Sequence, residues 1–293
     1  MFLNNFEYFA PKTPEEALDL VGRLGSKAKV LAGGTDLLVL MKTKAISPEC
    51  LIDINGVAEF RNFSYEQGKG AVIGANTKLA EIQFSEAIKA KYPALAYAAG
   101  EVGSSQVRHM ASLGGNSCNA SPAAETPTPL VAMGAKIVLS SLKGDRELPL
   151  EEFILGVRQT NLAEGEIVTK FILPEPAEKS ACRYAYIGRR DAMEIDCVNM
   201  AVNIELADDG EIIKNIRMVM GSVYPRPLVS KEVPVLLTGQ KLSDELIEKA
   251  AQAAQSEARP IDDIRASAEY RREMVNVLAR RLLKETYAAA KGV

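Results

Sequence analysis

The sequence has 293 residues, of which 47% are hydrophobic and 25% are charged, and its formal net charge is −3 at pH 7. This length fits one large or two ordinary globular domains, and the small net charge argues against a protein that binds nucleic acid or a membrane surface. No apolar stretch reaches the roughly eighteen residues of a membrane-spanning helix. The first residues also lack the basic and apolar segments of a secretory signal, so we expect a cytoplasmic protein.

The cysteine and histidine content argues against a metal site on this chain. None of the four cysteines, Cys50, Cys118, Cys182 and Cys197, lies within four residues of another. This spacing argues against zinc or iron–sulfur binding by a local cysteine motif and favours free thiols in a reducing compartment. The single histidine, His109, excludes a site built from several histidines.

The first 55 residues predict a small α/β unit. Residues 14–24 predict a helix, because Thr13 is a favoured N-cap residue and Pro14 fits the first helical position. Short apolar runs at 29–31 and 50–54 predict two strands. Strands that alternate with helices in this way are typical of α/β folds.

A glycine turn lies between these two predicted strands and is the first candidate site. Gly33 and Gly34 have no Cβ atom, so the backbone there can turn tightly and approach a ligand closely. Thr35 and Asp36 are residue types that favour the N-cap of a following helix, and free N–H groups at such a turn suit a phosphate. A plain tight turn is the alternative, because a two-glycine turn is a weak signal. The candidate residues are Val30, Leu31, Ala32, Gly33, Gly34, Thr35, Asp36 and Leu37.

Residues 56–175 predict a second part that contains both helices and strands. Gly144 and Asp145 predict a hairpin turn, and Pro174 and Pro176 indicate a linker to the C-terminal part of the chain. The predicted strands are 71–75, 136–140 and 167–173, and the predicted helices are 78–90, 93–99 and 126–133.

A second glycine segment lies inside this part, at residues 112–122. Small and polar residues fill nearly all of its positions, including Gly114 and Gly115. Such a segment buries little apolar surface by itself, so its order must come from its neighbours. Two glycine segments of this kind could hold two ends of one long, phosphate-bearing ligand, and two unrelated loops are the alternative.

The remaining residues, 177–293, predict an α+β domain. Strands are predicted at 184–187, 198–206 and 212–220, with a turn at 208–210. Three prolines, Pro225, Pro227 and Pro234, interrupt the next stretch. Helices predicted at roughly 243–257 and 267–288 would then pack on one face of the sheet.

Taken together, the glycine segments resemble those of the FAD-binding medium subunits of the molybdenum hydroxylases, the xanthine dehydrogenase and aerobic carbon monoxide dehydrogenase type. The resemblance rests on residues 32–36, 112–116 and 120–122 with Glu125, and it extends to residues 6–13 and 263–271. It implies an α+β fold with a two-lobed FAD-binding domain of the vanillyl-alcohol-oxidase-like (PCMH) type. By this implication the FAD-binding domain is 1–175, with lobes of about 1–55 and 56–175, and a C-terminal α+β domain of the CO dehydrogenase flavoprotein type is 176–293.

The resemblance also implies a set of FAD contacts without a covalent link. Residues 30–37 would wrap the pyrophosphate, and the second glycine segment would hold the other side of the diphosphate and ribityl region through Ser112, Gly114, Gly115 and Asn116. Outside these segments, the implied contacts are Glu125 where relatives usually have Asp, Val102 near the isoalloxazine ring, Val168 through its backbone, and Tyr186. For Val102 and Val168 the alternative is packing in the core.

Three charged or polar positions near the implied site leave alternatives open. Many relatives have Lys where this chain has Tyr186, and neutral tyrosine can only stack or donate a hydrogen bond, so Arg189 or Arg190 would have to supply a charge. Arg108 and His109 precede the second glycine segment, where each could contact phosphate or serve the structure.

The implied function is electron transfer within a larger complex. In the family, a large subunit carries molybdopterin and a small subunit carries two [2Fe–2S] clusters, and this chain has neither set of motifs. Electrons would pass from the clusters to FAD and then to NAD or another acceptor, in a dimer of heterotrimers, and no residue of this chain is assigned a catalytic role. The alternatives are a free-standing FAD-dependent oxidoreductase with its own organic substrate and a non-catalytic scaffold, against which the intact glycine pair argues.

Overall fold

The computed structural model describes residues 3–190 and 192–292. Within them, no helix combines the length and the apolar character that crossing a membrane would need. The N-terminal lobe is a three-stranded parallel sheet in the order β1–β3–β2 with one long helix against it. Its elements are β1 (Glu7–Phe9), α1 (Pro14–Leu24), β2 (Ala28–Leu31), α2 (Leu37–Lys42) and β3 (Cys50–Asp53).

Helix α1 has the predicted bounds and positions the first glycine turn. The Thr13 hydroxyl accepts a hydrogen bond from the N–H of Glu16 at 3.2 Å, which satisfies a donor that the first helical turn leaves free. Ala17 and Val21 on the buried face of α1 pack with Ile52 of β3. The helix thereby fixes the small sheet, and the glycine turn directly follows its strand β2.

The second lobe is built on a five-stranded antiparallel sheet in the order β4–β5–β10–β6–β7. The strands are β4 (Phe63–Glu66), β5 (Gly70–Gly74), β6 (Lys136–Ser141), β7 (Gly144–Pro149) and β10 (Ile167–Leu173), with a separate pair of β8 (Ile154–Gly156) and β9 (Gln159–Thr160). The helices are α3 (Leu79–Phe84), α4 (Glu86–Lys91), α5 (Pro93–Glu101), α6 (Ser105–Met110), α7 (Leu113–Cys118), α8 (Pro127–Ala132) and α9 (Leu150–Phe153).

Three details of this lobe differ from the sequence prediction. The helix predicted at 78–90 is two helices, because Ser85 is extended and its hydroxyl caps the N–H of Ile88 at 3.3 Å. The turn predicted at Gly144 lies two residues earlier, and Gly144 instead begins β7, a polar edge strand that the sequence did not indicate. Helix α5 continues through the predicted stop at Gly100 to Glu101.

The C-terminal domain is a four-stranded antiparallel sheet in the order β11–β12–β13–β14. Pro234 was expected to break the chain but lies in the first turn of a helix, where its missing N–H leaves no hydrogen bond unmade. The elements are β11 (Ser180–Ile187), β12 (Val198–Leu206), β13 (Ile213–Gly221), β14 (Leu228–Val229), α10 (Glu232–Leu237), α11 (Asp244–Glu257) and α12 (Ala268–Ala290).

Both faces of this sheet are covered, and its strands therefore connect two cores. Side chains alternate between the two faces of a strand. In β12, Met200 and Val202 pack in the core beneath α10, α11 and α12, whereas Ala201 packs in the core of the second lobe with Tyr184 of β11. Helices α5 and α8 cover this second face. The N–H of Ser222, directly after β13, also donates to the carbonyl of Pro122 at the end of the second glycine segment, at 2.7 Å.

Candidate cofactor-binding site

The first glycine turn packs against the residues that immediately precede the second glycine segment. A Cβ atom on Gly33 would lie 2.7 Å from the carbonyl carbon of Met110 and 2.8 Å from the Cα of Ala111, which is closer than real Cβ contacts. Ala111 immediately precedes the second glycine segment and accepts a hydrogen bond from the N–H of Leu79 at 3.0 Å. Only glycine fits at position 33, and its lack of a side chain brings the first turn against the start of the second segment.

A cleft of about 610 Å³ opens where the segments meet. Most residues expected to contact the cofactor line it: Val30, Ala32, Gly33, Gly34, Thr35, Asp36, Leu37, Val102, Ser112, Gly115, Asn116 and Glu125. Both glycine segments therefore contribute to one cleft, and contact of these residues with FAD stays a prediction.

The first glycine turn lines the cleft and contains consecutive backbone donors without partners. In the described part of the chain, the backbone N–H groups of residues 33–36 have no protein acceptor, whereas the carbonyls of Gly34 and Asp36 accept from Leu38 and Leu40 at 3.0 Å each. Asp36 occupies the N-cap position of α2 but its side chain makes no capping hydrogen bond, contrary to expectation. Consecutive free N–H groups in a glycine turn suit a phosphate or diphosphate.

The second glycine segment plays a different part, because its first N–H groups are used within the protein. It forms helix α7, in which the Ser112 hydroxyl accepts from the N–H of Gly115 at 3.2 Å. The N–H of Gly114 donates to the Ala75 carbonyl at 2.7 Å, and a Cβ on Gly114 would lie 2.8 Å from the same oxygen. Gly114 is thus a packing glycine, whereas Gly115 is exposed and forms part of the cleft surface.

Four expected contact residues do not line the cleft: Leu31, Gly114, Val168 and Tyr186. Leu31 ends β2 behind the glycine turn, and Val168 is buried in the core, where it pairs with Leu139 of β6. Tyr186 lies on β11 and donates its hydroxyl to Glu101 at 2.7 Å. It therefore supports the chain next to the lining residue Val102 rather than facing the cleft.

The cleft also contains residues that are not among the predicted cofactor contacts. Arg158 lies between β8 and β9 with a φ of 55°, and Ile195 precedes β12. Burial raises the pKa of Asp36 above its ordinary value, although the positive charge of Arg158 opposes part of this shift. The sequence around Arg158 gives no sign that this residue lies in a cleft. Its position depends on a distant contact, in which the Arg158 N–H donates to the Ala120 carbonyl at 3.0 Å.

Arg108 and His109 have structural partners. The guanidinium of Arg108 donates to the Gln83 side chain at 3.0 Å and to the carbonyls of Val102 and Gly103. The His109 ring nitrogen Nδ1 lies 2.7 Å from the Ser105 carbonyl. Both side chains thereby brace α6, and neither lines the cleft.

Two buried carboxyl groups lie at the back of the site. Burial raises the pKa of Glu125 to about 8, and the charge of Asp196 adds to the shift. Burial also raises the pKa of Asp196 to about 7, although hydrogen bonds from Asn199 and Tyr184 oppose it. Because both groups are largely removed from water, an added negative charge in the cleft would disfavour their ionised forms further.

The residues of the cleft fit FAD. The turn offers donors for a diphosphate, Arg158 offers a positive charge, and Val102, Val107 and Ile195 offer an apolar wall for a flat ring. Within residues 3–190 and 192–292, no group of three histidine, cysteine or acidic side chains is arranged to hold a metal ion.

Comparisons with known proteins agree with this fold. Residues 4–176 match the family model for the FAD binding domain in molybdopterin dehydrogenase, and residues 183–286 match that for the CO dehydrogenase flavoprotein C-terminal domain. The sequence is 33% identical over 283 residues to the carbon monoxide dehydrogenase medium chain of Hydrogenophaga pseudoflava, covering 97% of each chain. It is 31% identical over 285 residues to the glyceraldehyde dehydrogenase medium chain of Sulfolobus acidocaldarius, covering 97% of this chain and 99% of that relative.

A solved structure gives the same result. The fold matches a chain of carbon monoxide dehydrogenase from Hydrogenophaga pseudoflava, lacking the Mo-pyranopterin moiety of the molybdenum cofactor, with a TM-score of 0.93. The two are 33% identical, and the match covers 98% of this chain and 99% of the other.

Fold and cleft together define a protein with an FAD-binding domain and a flavoprotein C-terminal domain. The chain belongs to the family of FAD-binding medium subunits of the molybdenum hydroxylases, and it is an oxidoreductase subunit with FAD as its cofactor. The resemblance and the α+β fold class inferred from the sequence are confirmed.

Proposed function

We propose that this chain passes electrons from [2Fe–2S] clusters on a small partner subunit, through non-covalently bound FAD, to NAD or another acceptor. A large partner subunit would carry molybdopterin, and two heterotrimers would pair in the cytoplasm. The names of related proteins support a multi-subunit enzyme, because they are medium chains and FAD subunits of dehydrogenases.

One observation carries the cofactor part of the proposal: residues 33–36, whose N–H groups have no protein acceptor in the described part of the chain, line a cleft that residues of the second glycine segment also line. We assign the diphosphate of FAD to residues 30–37 with Arg158 as its counter-charge. Ser112, Gly115, Asn116 and Glu125 would hold the middle of the cofactor, and Val102 with Ile195 would contact its ring. Val168, Gly114 and Tyr186 would support this surface from behind.

The chain supplies orientation and electrostatics rather than acid–base chemistry. FAD takes electrons singly or as a hydride, so it can join a one-electron donor to a two-electron acceptor. Tyr186 donates its hydroxyl to Glu101 in the free chain, and Arg189 donates to the Ile264 carbonyl at 3.1 Å.

We infer that the boundary between the two domains lies near residue 175, where Pro174 and Pro176 follow the last strand of the second lobe.

Anaerobic mixing of the purified, FAD-loaded chain with NADH tests the proposed acceptor. Rapid loss of the oxidised flavin absorption band is the expected result if NAD is the acceptor. Dithionite serves as the control that the flavin is reducible. Bleaching by dithionite alone would point to another acceptor or to a nucleotide site completed by partner subunits.

A second measurement separates the electron-transfer subunit from a free-standing enzyme. A reduced [2Fe–2S] ferredoxin should reduce the bound flavin, because the proposal requires a one-electron donor at this surface. Reduction by a small organic substrate in the absence of any other subunit would instead favour the free-standing oxidoreductase. A chain that takes up no FAD would contradict both functions.

A further inference from the structure

A buried polar network behind the cleft has no part in the function proposed so far. Asp196 is 3% exposed and accepts hydrogen bonds from the Tyr184 hydroxyl at 3.1 Å and from the Asn199 amide at 3.0 Å. Asn199 in turn accepts from the Thr128 hydroxyl at 2.7 Å. The network thus joins the C-terminal sheet to α8, which begins two residues after Glu125.

Glu125 is a buried residue of the cleft lining, and other acidic side chains lie near it. It is 7% exposed, and neither it nor Asp196 belongs to an ion pair in the described residues. The guanidinium of Arg271 reaches the carbonyl next to Asp196 but is paired with Asp263 at 2.7 Å. The titratable and charged groups around the two carboxyls are Asp36, Glu101, Glu194, Tyr97, Tyr184, Tyr186, Arg158 and Arg271.

We propose that Asp196 is a positioning residue for the cofactor site: fixed between Tyr184 and Asn199, its charge keeps Glu125 a neutral carboxylic acid that faces FAD as a hydrogen-bond donor. The inference rests on the proposed function. A neutral acid adds no negative charge beside the diphosphate, whereas a carboxylate would repel it in a site with little water. When Glu125 is ionised in the free chain, FAD binding would transfer one proton from solvent to its carboxylate.

The titration behaviour of the pair agrees with this division of roles. Burial raises the pKa of Asp196 to about 7, and the hydrogen bonds from Asn199 and Tyr184 oppose that shift, whereas burial and the charge of Asp196 together raise the pKa of Glu125 to about 8. As pH rises through neutrality, Asp196 therefore loses its proton before Glu125 does. Two such groups titrate as a coupled pair in which one proton is shared unequally. Removal of the Asp196 charge would therefore lower the pKa of Glu125 and make it ionise nearer neutral pH.

Calorimetric titration of the apo-chain with FAD between pH 6 and 8.5 tests the inference. Titrations at one pH in phosphate and in Tris, which differ in ionisation enthalpy, measure the protons taken up on binding. We expect almost no uptake near pH 6 and a substantial fraction of one proton near pH 8. The FAD affinity should fall above pH 8 by up to about tenfold per pH unit, because one proton is then taken up per FAD bound.

Variants assign this pH dependence to the two carboxyls. Glu125→Gln, which cannot ionise, should bind FAD with a nearly constant affinity and no proton uptake. Asp196→Asn should move the loss of affinity to lower pH, and Tyr184→Phe should move it less in the same direction. Asp208→Asn, an exposed change on the same domain, should leave the profile unchanged.

The double variant separates positioning from a merely structural role. If Asp196 acts through Glu125, Asp196→Asn should have no effect on pH dependence in the Glu125→Gln background. An equal loss of affinity at every pH in Asp196→Asn would overturn the inference, as would a wild-type affinity that is constant from pH 6 to 8.5. Failure to bind FAD at any pH would instead refute the proposed function, and this inference with it.

Discussion

Gly33 packs against the backbone that precedes the second glycine segment, so a substitution there tests directly whether this close approach shapes the site. In Gly33→Ala, the new Cβ would overlap the backbone at Met110 and Ala111, and backbone cannot move aside as a flexible side chain can. We expect FAD to bind about tenfold more weakly or worse, a loss of ~1.4 kcal/mol. Fluorescence titration of the apo-chain with FAD measures this.

Gly22→Ala is the matched control for that substitution. Gly22 is exposed inside α1, and a Cβ there would meet only the Leu142 side chain at 3.6 Å. FAD affinity should be unchanged, and the helix should gain about 0.5–1 kcal/mol. Equal FAD affinity for Gly33→Ala and Gly22→Ala would show that the close approach at Gly33 does not shape the site.

Arg158 lines the cleft, as does Lys29, and we propose that its guanidinium lies beside the diphosphate, so its removal should weaken FAD binding through charge. In Arg158→Gln, FAD affinity should fall about tenfold at low salt, because a hydrogen bond between arginine and a phosphate is charge-assisted and stronger than a neutral one. The difference from wild type should shrink as salt is added. Glutamine keeps a non-glycine residue at the φ of 55°, so backbone strain is the same in both proteins.

Arg23→Gln controls for a general effect of charge. Arg23 is 64% exposed and pairs with Asp19 on the outer face of α1, away from the cleft lining. Its loss should leave FAD affinity within twofold of wild type, since surface ion pairs contribute little. A similar decrease in both variants would refute a local role for Arg158.

At the scale of elements, local signals explain what the sequence could predict. The predicted bounds of capped, amphipathic helices such as α1 and α12 are close to the observed ones. Caps such as Thr13 and Ser267 and the spacing of apolar residues depend only on nearby sequence. The polar edge strand β7 has no such signal, since its pairing with β6 is what makes it a strand.

The same distinction applies to the site. The glycine turn could be predicted because Gly33 and Gly34 allow a tight backbone turn whatever their neighbours are. Arg158 was missed because only the fold brings its distant segment to the cleft. Tyr186 was expected beside the cofactor, but its partner Glu101 on α5 could not be inferred from sequence spacing.

The contact between α8 and the C-terminal sheet depends on one glycine, and this gives a test at the element scale. A Cβ on Gly221 would lie 2.8 Å from the Asn199 side-chain carbon and 2.9 Å from the Thr128 hydroxyl. Gly221→Ala should therefore break the Thr128–Asn199 hydrogen bond in a buried place and destabilise the chain by about 1–3 kcal/mol. Urea denaturation measures the change, and an unaltered midpoint would contradict it.

Thr128→Val provides a companion without backbone strain. Valine has the shape of threonine but cannot donate to Asn199, so it should cost about 1–3 kcal/mol by leaving a buried amide oxygen unpaired. Gly221→Ala combined with Thr128→Val should cost less than the sum of the two, because both remove the same hydrogen bond.

For the whole molecule, the buried carboxyl pair makes stability depend on pH. The folded chain raises the pKa of Glu125 to about 8 and that of Asp196 to about 7, whereas both ionise near pH 4 when unfolded. Between these values the folded chain binds more protons than the unfolded chain, so the free energy of unfolding falls as pH rises. Asp263 does not contribute to this slope. Burial favours its neutral form, but hydrogen bonds from N–H groups and arginines outweigh burial and lower its pKa to about 2. The stability that Asp263 contributes is therefore lost only as pH falls below about 4.

We therefore expect the FAD-free chain to lose stability, on the order of a few kcal/mol, between pH 5 and pH 8. Urea denaturation at several pH values, followed by circular dichroism, measures the slope. The Glu125→Gln, Asp196→Asn double variant should flatten it, whereas Asp208→Asn should retain it because that side chain is exposed. A wild-type profile that is level across this range would mean that the two carboxyls stay ionised in the fold, and the site would then present FAD with charges rather than with a neutral acid.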